Sequence, residues 1–405
     1  MMSTTRPLFS VGHIPSPTQR LVTSLDFSPC GGYLASASED DLLRIIATSG
    51  DTAAQVPGCS NDEAGGGADQ PGVLATYYFE SMGVKHVCYG PSESSHVYLA
   101  PRTRSASDVL RFDLATGVVD GAFHVLEKDS VDDDSDFSTL VHSPSADVFS
   151  AAKVDGFVSF FHPSSSQAIA SLDRPAEGSP VCAWSADGQR FTMADRWCLA
   201  TYDWRALARG PVTTHDPMRI DRDGFIHGIQ FRPKDPDTLL VTTTNMIVST
   251  LNVADQTAAP VPIFEDRDEV HDELAVLNLR YIAYKRRLYC TARYDPTGTM
   301  IAVGTAASAL LLLDADGKTA PDSDAAKGRE RPTLTHKAAK CHKATITNVA
   351  WNPRSNLLAS ACQHVNLWTV PLDGGSATRC AQSAAEVSVA ATPDSDDDDA
   401  ATVEV

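Results

Sequence analysis

Residues 22–47 read VTSLDFSPCGGYLASASEDDLLRIIA and combine the signals of three short β-strands. Side chains alternate between two faces over residues 22–28, which is the period of an extended strand. Pro29 cannot donate to a sheet and the glycines that follow accept positive φ, so a turn is predicted there. Residues 33–38 and 42–47, separated by acidic residues, complete a three-strand meander.

The turn of this meander recurs as a ring-bearing residue, a spacer residue and then proline or, once, alanine. The seven triplets are Phe27-Ser28-Pro29, Tyr89-Gly90-Pro91, His142-Ser143-Pro144, Trp184-Ser185-Ala186, Phe231-Arg232-Pro233, Tyr294-Asp295-Pro296 and Trp351-Asn352-Pro353. Successive ring positions are 42 to 63 residues apart. Self-similarity at such a period is typical of propellers and solenoids.

Each triplet is followed by a predicted third strand, and the third strands can be compared directly. They are LLRIIA at Leu42, VLRFDL at Val109, FVSFFHP at Phe157, CLATYDW at Cys198, IVSTLNV at Ile247, ALLLLDA at Ala309 and HVNLWTV at His364. Several end in an aromatic residue or leucine followed by aspartate or asparagine, a degraded form of the Trp-Asp dipeptide of WD repeats. A β-sandwich also has many short strands, but it has no reason to repeat one turn sequence in this way.

The repeats therefore predict an all-β fold, a seven-bladed WD-repeat β-propeller over residues 6–372. Its blades are anchored near residues 27, 89, 142, 184, 231, 294 and 351. Residues 6–14, RPLFSVGHI, lie where such folds supply the outer strand of the last blade, so we expect an N-terminal strand to close the ring. Residues 373–405 are rich in Ser, Ala, Thr and Asp, which predicts a disordered acidic tail.

Charge and cysteine usage limit the environment and the partners. The net charge of −19 argues against direct nucleic-acid binding, which depends on Lys and Arg neutralising phosphates. No long apolar run or secretory signal is evident, so no membrane association is expected. Nine scattered cysteines without a C-x-x-C pair fit a reducing compartment. We therefore expect a cytosolic or nuclear protein.

Four polar insertions separate the predicted blades and fall on the rims of the disc, where partners bind. They cover residues 51–70, 129–136, 265–287 and 320–340. The acidic tail either binds basic partners or serves as a solubilising segment. The sequence leaves that choice open, together with the binding face and the oligomeric state.

The sequence contains few residue patterns that would indicate a catalytic or metal-binding site. Cys341-His342 and Cys362-x-His364 could be combined into a zinc site, but a buried thiol in a strand is a natural core residue. Asp40 with Asp41, and residues 132–134, lie in polar turns where solvation explains the carboxylates. No phosphate-loop, nucleophile-elbow or metalloprotease motif occurs. We expect no enzyme activity, no cofactor and no metal.

Polar residues of the last blade have a structural explanation instead. In WD repeats a histidine before the first strand, a serine in the second and a tryptophan in the third form consecutive hydrogen bonds. His342, Ser360 and Trp368 have the matching spacing. The aspartate that usually completes this arrangement is not evident.

Binding of a protein partner by surface loops is the function that remains. The loops between second and third strands are the first candidates for contact with such a partner. The candidate protein-binding residues are Arg102, Arg104, Lys153, Arg196, Trp197, Gln363 and His364. Because Trp and Arg are enriched at interface hot spots, Arg196 with Trp197 is the preferred pair. The alternative is that Trp197 packs between blades.

Two blades carry a more specific resemblance. Residues 344–371, ATITNVAWNPRSNLLASACQHVNLWTVP, resemble the closing blade of the family of WD-repeat protein 82 and the yeast Swd-type proteins. Residues 178–188, GSPVCAWSADG, and 202–212, YDWRALARGPV, are similar to a further blade of that family. The resemblance extends over residues from about 20 to 372, and the four insertions and the tail depart from it.

This resemblance implies a non-catalytic scaffold subunit of a nuclear chromatin or transcription-termination complex. The implied partners are a type-one protein phosphatase with its nuclear targeting subunit (PNUTS), a Set-type histone lysine methyltransferase, cleavage and polyadenylation factors of mRNA 3′-end processing, and RNA polymerase II. It implies no catalytic residue.

Two other classes of propeller stay open. Phosphoinositide-binding propellers of the autophagy type carry a Phe-Arg-Arg-Gly motif, which the stretch from Tyr294 onward lacks. Substrate receptors of cullin ubiquitin ligases carry WD-x-R at the end of a third strand, and YDWR at residues 202–205 only approximates it.

Overall fold

The computed structural model describes the ranges that carry the predicted blades. These are residues 8–15, 18–48, 72–80, 82–90, 95–103, 108–125, 136–173, 179–222, 224–245, 247–265, 291–316 and 334–370. The insertion at 51–70, residues 129–135, 266–287 and 320–333 of the three others, Arg104 and the tail at 373–405 lie outside the described residues. The division into a propeller and a disordered tail stays a prediction.

The described residues form four-stranded antiparallel sheets, each one blade. Blade one contains β2 (Val22–Phe27), β3 (Tyr33–Ser38), β4 (Leu42–Ala47) and β5 (Gly72–Tyr78); blade two contains β6 (Val84–Tyr89), β7 (His96–Pro101), β8 (Asp108–Asp113) and β9 (Val118–His124). Blade three contains β10 (Phe137–His142), β11 (Phe149–Lys153), β12 (Phe157–Phe161) and β13 (Ala170–Asp173); blade four contains β14 (Val181–Trp184), β15 (Arg190–Ala194), β16 (Leu199–Asp203) and β17 (Thr213–His215).

The remaining blades follow the same order. Blade five contains β18 (Ile226–Arg232), β19 (Asp235–Thr243), β20 (Ile247–Asn252) and β21 (Val261–Glu265). Blade six contains β22 (Thr291–Tyr294), β23 (Met300–Gly304), β24 (Leu310–Asp314) and β25 (Leu334–Ala338). Blade seven contains β26 (Asn348–Trp351), β27 (Leu357–Ala361) and β28 (Val365–Thr369), with β1 (Phe9–Ile14) as its outer strand. The seven-bladed propeller predicted from the repeats is confirmed.

The ring is closed by the N-terminal strand. β1 runs antiparallel to β28, with Phe9 opposite Thr369 and Ile14 opposite Val365. The outer edge of the last blade is therefore paired by residues from the other end of the propeller. Closure by an N-terminal strand, expected from residues 6–14, is confirmed.

The spacer residue of the repeated triplets explains why the triplet recurs. In blade one the Ser28 N–H donates to the Tyr33 carbonyl at 2.9 Å, while the Tyr33 N–H donates to Ser28 Oγ at 3.0 Å. In blade four the same two bonds join Ser185 and Arg190, at 3.0 and 2.9 Å. The spacers of five blades are nearly fully buried: Ser28, Ser143, Ser185, Asp295 and Asn352. A small polar side chain at this position accepts a backbone N–H of the turn between the first and second strands.

The meander predicted from the sequence lacks the outer strand of blades one to six. Each sheet adds an outer strand, such as β13 or β17, whose short length gives little periodic signal. β25 falls inside residues 320–340, which were predicted as a polar loop, so that prediction is wrong for Leu334–Ala338. The pairing of β25 with β24 supplies hydrogen bonds that a loop would lack.

The core is divided among the contacts between neighbouring blades. Each described cluster of buried apolar residues draws on two adjacent blades, and one of them joins Ile14 and Leu367 of blade seven to Val22 and Leu34 of blade one. The second strands are covered on both faces, and all six residues of β3 are buried. The helices of the described chain are short 3₁₀ turns at Trp204–Arg209 and Pro217–Arg219. None of them has the length and apolar character needed to cross a membrane.

Candidate functional site

The turns between second and third strands lie at the same end of every sheet, and we call this surface the loop face. Its described residues are 39–41, 102–103, 154–156, 195–198, 244–245, 305–309 and 362–364. Segments that enter the first strand of the next blade reach the same face. Six of the seven predicted contact residues can therefore be placed, and Arg104 lies outside the described chain.

Blade four presents Arg196 between two aromatic rings. Its guanidinium carbon lies 4.8 Å from the ring centroid of Trp197 and 4.7 Å from that of Phe225. Trp197 is 51% exposed. About half of the Trp197 side chain is therefore exposed at the surface, and its ring contacts Arg196.

The backbone of this turn is held by Asp195. Its buried carboxylate accepts the N–H groups of Trp197 at 2.7 Å and Cys198 at 2.8 Å. Such an Asx turn positions the residues between donor and acceptor without a contribution from their own side chains. The backbone that carries Arg196 and Trp197 is thereby fixed by Asp195.

The guanidinium of Arg196 keeps its hydrogen-bonding capacity. With the part of the chain that the structure describes, it makes the two ring contacts and no ion pair. Arginine has five N–H donors in a planar fork that suits carboxylate and phosphate groups. The site can therefore bind an anionic group while Trp197 and Phe225 cover an apolar neighbour of that group.

Phe225 was missed in the sequence. It precedes β18 in blade five and reaches back to the turn of blade four. The signal that could have found it is its place in the chain, because the segment entering a blade runs over the loop face of the blade before.

Arg102 serves an internal contact. Its guanidinium pairs with the carboxylate of Asp41, which joins the turn of blade two to that of blade one. Gly83 lies under this pair with a φ of +61°, where an added Cβ would collide with Asp41. The candidate contact residue Arg102 thus stabilises the junction of two turns, although its side chain is still 43% exposed.

Lys153 was predicted as a surface contact residue, but its side chain is buried. It is the last residue of β11, and its side chain is fully buried with Nζ 5.5 Å from the ring centroid of Phe137. Burial lowers the pKa of Lys153 to about 8, although the carboxylates of Asp155 and Asp108 oppose the shift. A buried ammonium group cannot serve as a surface contact, so this candidate is withdrawn.

The neighbouring carboxylates Asp40 and Asp41 of blade one form ion pairs with different arginines. Asp40 pairs with Arg44 at 2.7 Å and also accepts from the hydroxyl groups of Ser38 and Thr18. Burial alone would raise the pKa of Asp40, but these donors lower it to about 2. Because Asp41 has a different partner, the two neighbours form no acid–base pair.

In blade seven three polar side chains form a buried chain of hydrogen bonds. His342 Nε2 lies 2.7 Å from Ser360 Oγ, and Trp368 Nε1 donates to the same oxygen at 2.8 Å. The other ring nitrogen of His342 lies 3.2 Å from Cys362 Sγ. A thiol therefore occupies the position beside His342 where an aspartate was sought in the sequence.

Gln363 and His364 form the tip of the turn that follows Cys362, and both are partly buried. His364 Nδ1 lies 3.6 Å from Cys362 Sγ, and its ring stacks on that of His342 with centroids 4.7 Å apart. Burial would raise the pKa of the Cys362 thiol, but the hydrogen bond and charge of His342 lower it overall. Burial and the nearby Lys343 lower the pKa of His364.

Comparison with known proteins bears on the first and last blades. The family model described as WD domain, G-beta repeat matches residues 6–46 and 333–369. The match covers about a fifth of the chain, and the seven four-stranded blades agree with it. The chain folds as a seven-bladed WD-repeat propeller. No curated protein matches it.

The matched parts of this WD-repeat chain are those that meet where the ring closes. They contain the first three strands of blade one and the strands of blade seven together with β1 and β25. WD-repeat propellers generally act as non-enzymatic scaffolds for protein–protein interaction, and the fold supports that role here. Its loop face at blade four then becomes the surface to test.

Proposed function

We propose that this WD-repeat protein is a non-catalytic scaffold that holds a partner segment on its loop face at blade four. The observation that carries the proposal is Arg196, stacked between Trp197 and Phe225 with its donors directed to no described ion pair. The partner segment presents a carboxylate or phosphate to Arg196 and an apolar side chain to Trp197.

The energetics of the three residues favour a binding hot spot. Stacking on two rings orders the guanidinium in advance, so less side-chain entropy is lost when a partner binds. A cation over an aromatic ring gains about 0.5–1 kcal/mol when exposed and more when it is desolvated. A partner that covers the site therefore strengthens contacts that already exist within the propeller.

We further propose that the partner belongs to a nuclear chromatin or transcription-termination complex. This part rests on the resemblance of residues 178–188, 202–212 and 344–371 to the family of WD-repeat protein 82 and the yeast Swd-type proteins. The candidate partners are a type-one phosphatase with a PNUTS-like subunit, a Set-type methyltransferase, 3′-end processing factors and RNA polymerase II. The blade that carries the Arg196 site is one of the two that carry the resemblance.

Affinity purification of the tagged full chain with mass spectrometry tests the complex. Recovery of one of these modules supports the proposal, and recovery of none of them contradicts its nuclear part. Arg196→Ala and Trp197→Ala are expected to reduce recovery of the module by at least about tenfold, as for hot-spot residues.

Matched control variants lie at the opposite end of the sheets. Arg205 follows β16 and its side chain is 72% exposed, while Phe9 begins β1 and is 58% exposed. Arg205→Ala and Phe9→Ala are expected to leave recovery unchanged. If Arg205→Ala and Phe9→Ala reduce recovery of the partner as strongly as Arg196→Ala and Trp197→Ala do, the proposal of binding at the loop face is wrong.

A further inference from the structure

We infer that blade seven binds a single soft or borderline divalent metal ion, with Zn²⁺ as the best match, through His342, Cys362 and His364. The ligand atoms of these three residues lie within 4.8 Å of one another. The sequence argued against such a site because Cys362 lies at the end of a strand. The folded chain nevertheless brings the thiol close to a ring nitrogen of each of the two imidazoles.

The separations match those of a tetrahedral site. Zn²⁺ binds Cys sulfur at about 2.3 Å and His nitrogen at about 2.0–2.1 Å, which places neighbouring sulfur and nitrogen ligands about 3.6 Å apart. Cys362 Sγ lies 3.2 Å from His342 Nδ1 and 3.6 Å from His364 Nδ1. Both imidazole nitrogens thus already stand near the positions that a shared ion requires.

The residues behind His342 suit a metal ligand. A metal-binding histidine usually donates its second ring N–H to a fixed acceptor, which orients the ring and leaves a lone pair on the first nitrogen. Ser360 Oγ, 2.7 Å from His342 Nε2, is such an acceptor, and Trp368 Nε1 holds the same oxygen. A hydroxyl oxygen has two lone pairs and can accept both bonds.

Binding requires one adjustment and one proton transfer. The rings of His342 and His364 are stacked with an angle of 18° between their planes, and an ion must lie in the plane of each imidazole it contacts. The His364 ring at the tip of the turn therefore rotates when the ion enters. The proton of the Cys362 thiol leaves to solvent, since the thiolate is the ligand.

The site lies beside the strand that closes the ring. The ring of His13 in β1 packs against that of His364 with centroids 4.6 Å apart, and His13 Nδ1 lies 2.7 Å from Asn366 Oδ1. Three protein ligands leave a fourth position for water. Because the ion binds only the folded arrangement, it stabilises the closed propeller by mass action.

Cobalt substitution tests this inference on the reduced, metal-free full chain. Titration with Co²⁺ is expected to give a thiolate-to-cobalt charge-transfer band that saturates at a single ion per chain and disappears when Zn²⁺ is added. Cys362→Ser is expected to abolish the band. His364→Gln is expected to weaken binding at least about tenfold.

Cys341→Ser is the matched control, because this neighbouring thiol donates to the Ser308 carbonyl at 3.4 Å and is outside the cluster. It should keep the band. If Cys362→Ser fails to fold, judged by circular dichroism, His364→Gln at the partly buried turn decides the question. The inference is overturned if wild-type protein gives no thiolate band, or if His364→Gln binds Co²⁺ as tightly as the wild type.

Discussion

The side-chain amide of Asn352 in blade seven donates to the backbone carbonyl of Gly31 in blade one at 2.6 Å. Arg354 Nε adds a bond to the carbonyl of Pro29 at 3.0 Å. These bonds join the first turns of the two blades that meet where the ring closes. Ring closure therefore involves the turn that contains Gly31 as well as the pairing of β1 with β28.

Gly31→Ala is expected to lower the free energy of unfolding by at least about 2 kcal/mol. Gly31 has a φ of +73°, and an added Cβ would collide with the side-chain oxygen of Asn352. Gly117 is the control, because its φ is +69° but an added Cβ would meet only Tyr77, at an ordinary 3.5 Å. Urea unfolding should show a clearly larger loss for Gly31→Ala, and equal losses would contradict a role in closure.

Ile14→Ala is expected to cost about 2–4 kcal/mol, because it removes a buried side chain from the cluster that joins blades seven and one. Phe9 lies on the same strand but is 58% exposed, so Phe9→Ala should change stability by less than about 0.5 kcal/mol. Thermal and urea unfolding of both variants measure the difference. A large effect of Phe9→Ala would show that strand pairing, rather than core packing, dominates.

Ser360→Ala is expected to cost about 1–3 kcal/mol, since it leaves His342 Nε2 and the indole N–H of Trp368 without their buried partner. The exposed Ser10 of β1 supplies the control. In the Trp368→Phe background the cost of Ser360→Ala should fall, because the indole donor is gone. Strictly additive losses in urea unfolding would contradict the hydrogen-bond explanation.

Lys153 is expected to make stability depend on pH. Its pKa in the folded chain is lowered to about 8, below the usual Lys value, so the unfolded state binds more protons between these values. The stability of the wild type relative to Lys153→Met should therefore rise as pH increases from about 8 to 10.5, by at most about 1.4 kcal/mol per pH unit. Parallel curves for the two proteins would show that the buried Lys153 is not perturbed.

Local signals predicted the inner strands closely. The ring residues Phe27, Tyr89, His142 and Trp184 end their first strands, and β3 and β4 span residues 33–38 and 42–47 as predicted from the turns that flank them. These boundaries follow from turn chemistry, which acts over a few residues. The outer strands gave no comparable signal, because pairing to the third strand rather than their own composition holds them in place.

The candidate sites depend on contacts between different strands and turns, which the pattern of a single segment cannot report. Arg196 and Trp197 were predicted, but the second ring on Arg196 comes from Phe225 in the next blade. Lys153 ends strand β11 before a polar turn, a position that favours exposure, yet its side chain is buried beside Phe137 of the same blade. The grouping of His342, Cys362 and His364 likewise needs the turn of β27 and β28 to fold over the segment before β26.

The pairing of β1 with β28 sets an order on biosynthesis. Of the strands in blade seven, the outermost leaves the ribosome first and its partner last, and His13 and Asn366 are 353 positions apart along the chain. Until residues 365–369 emerge, β1 remains an unpaired edge of the kind that recruits chaperones or other strands. A chain whose translation stops before β28 keeps that edge unpaired, so the closed ring distinguishes chains that contain the whole propeller from shorter ones.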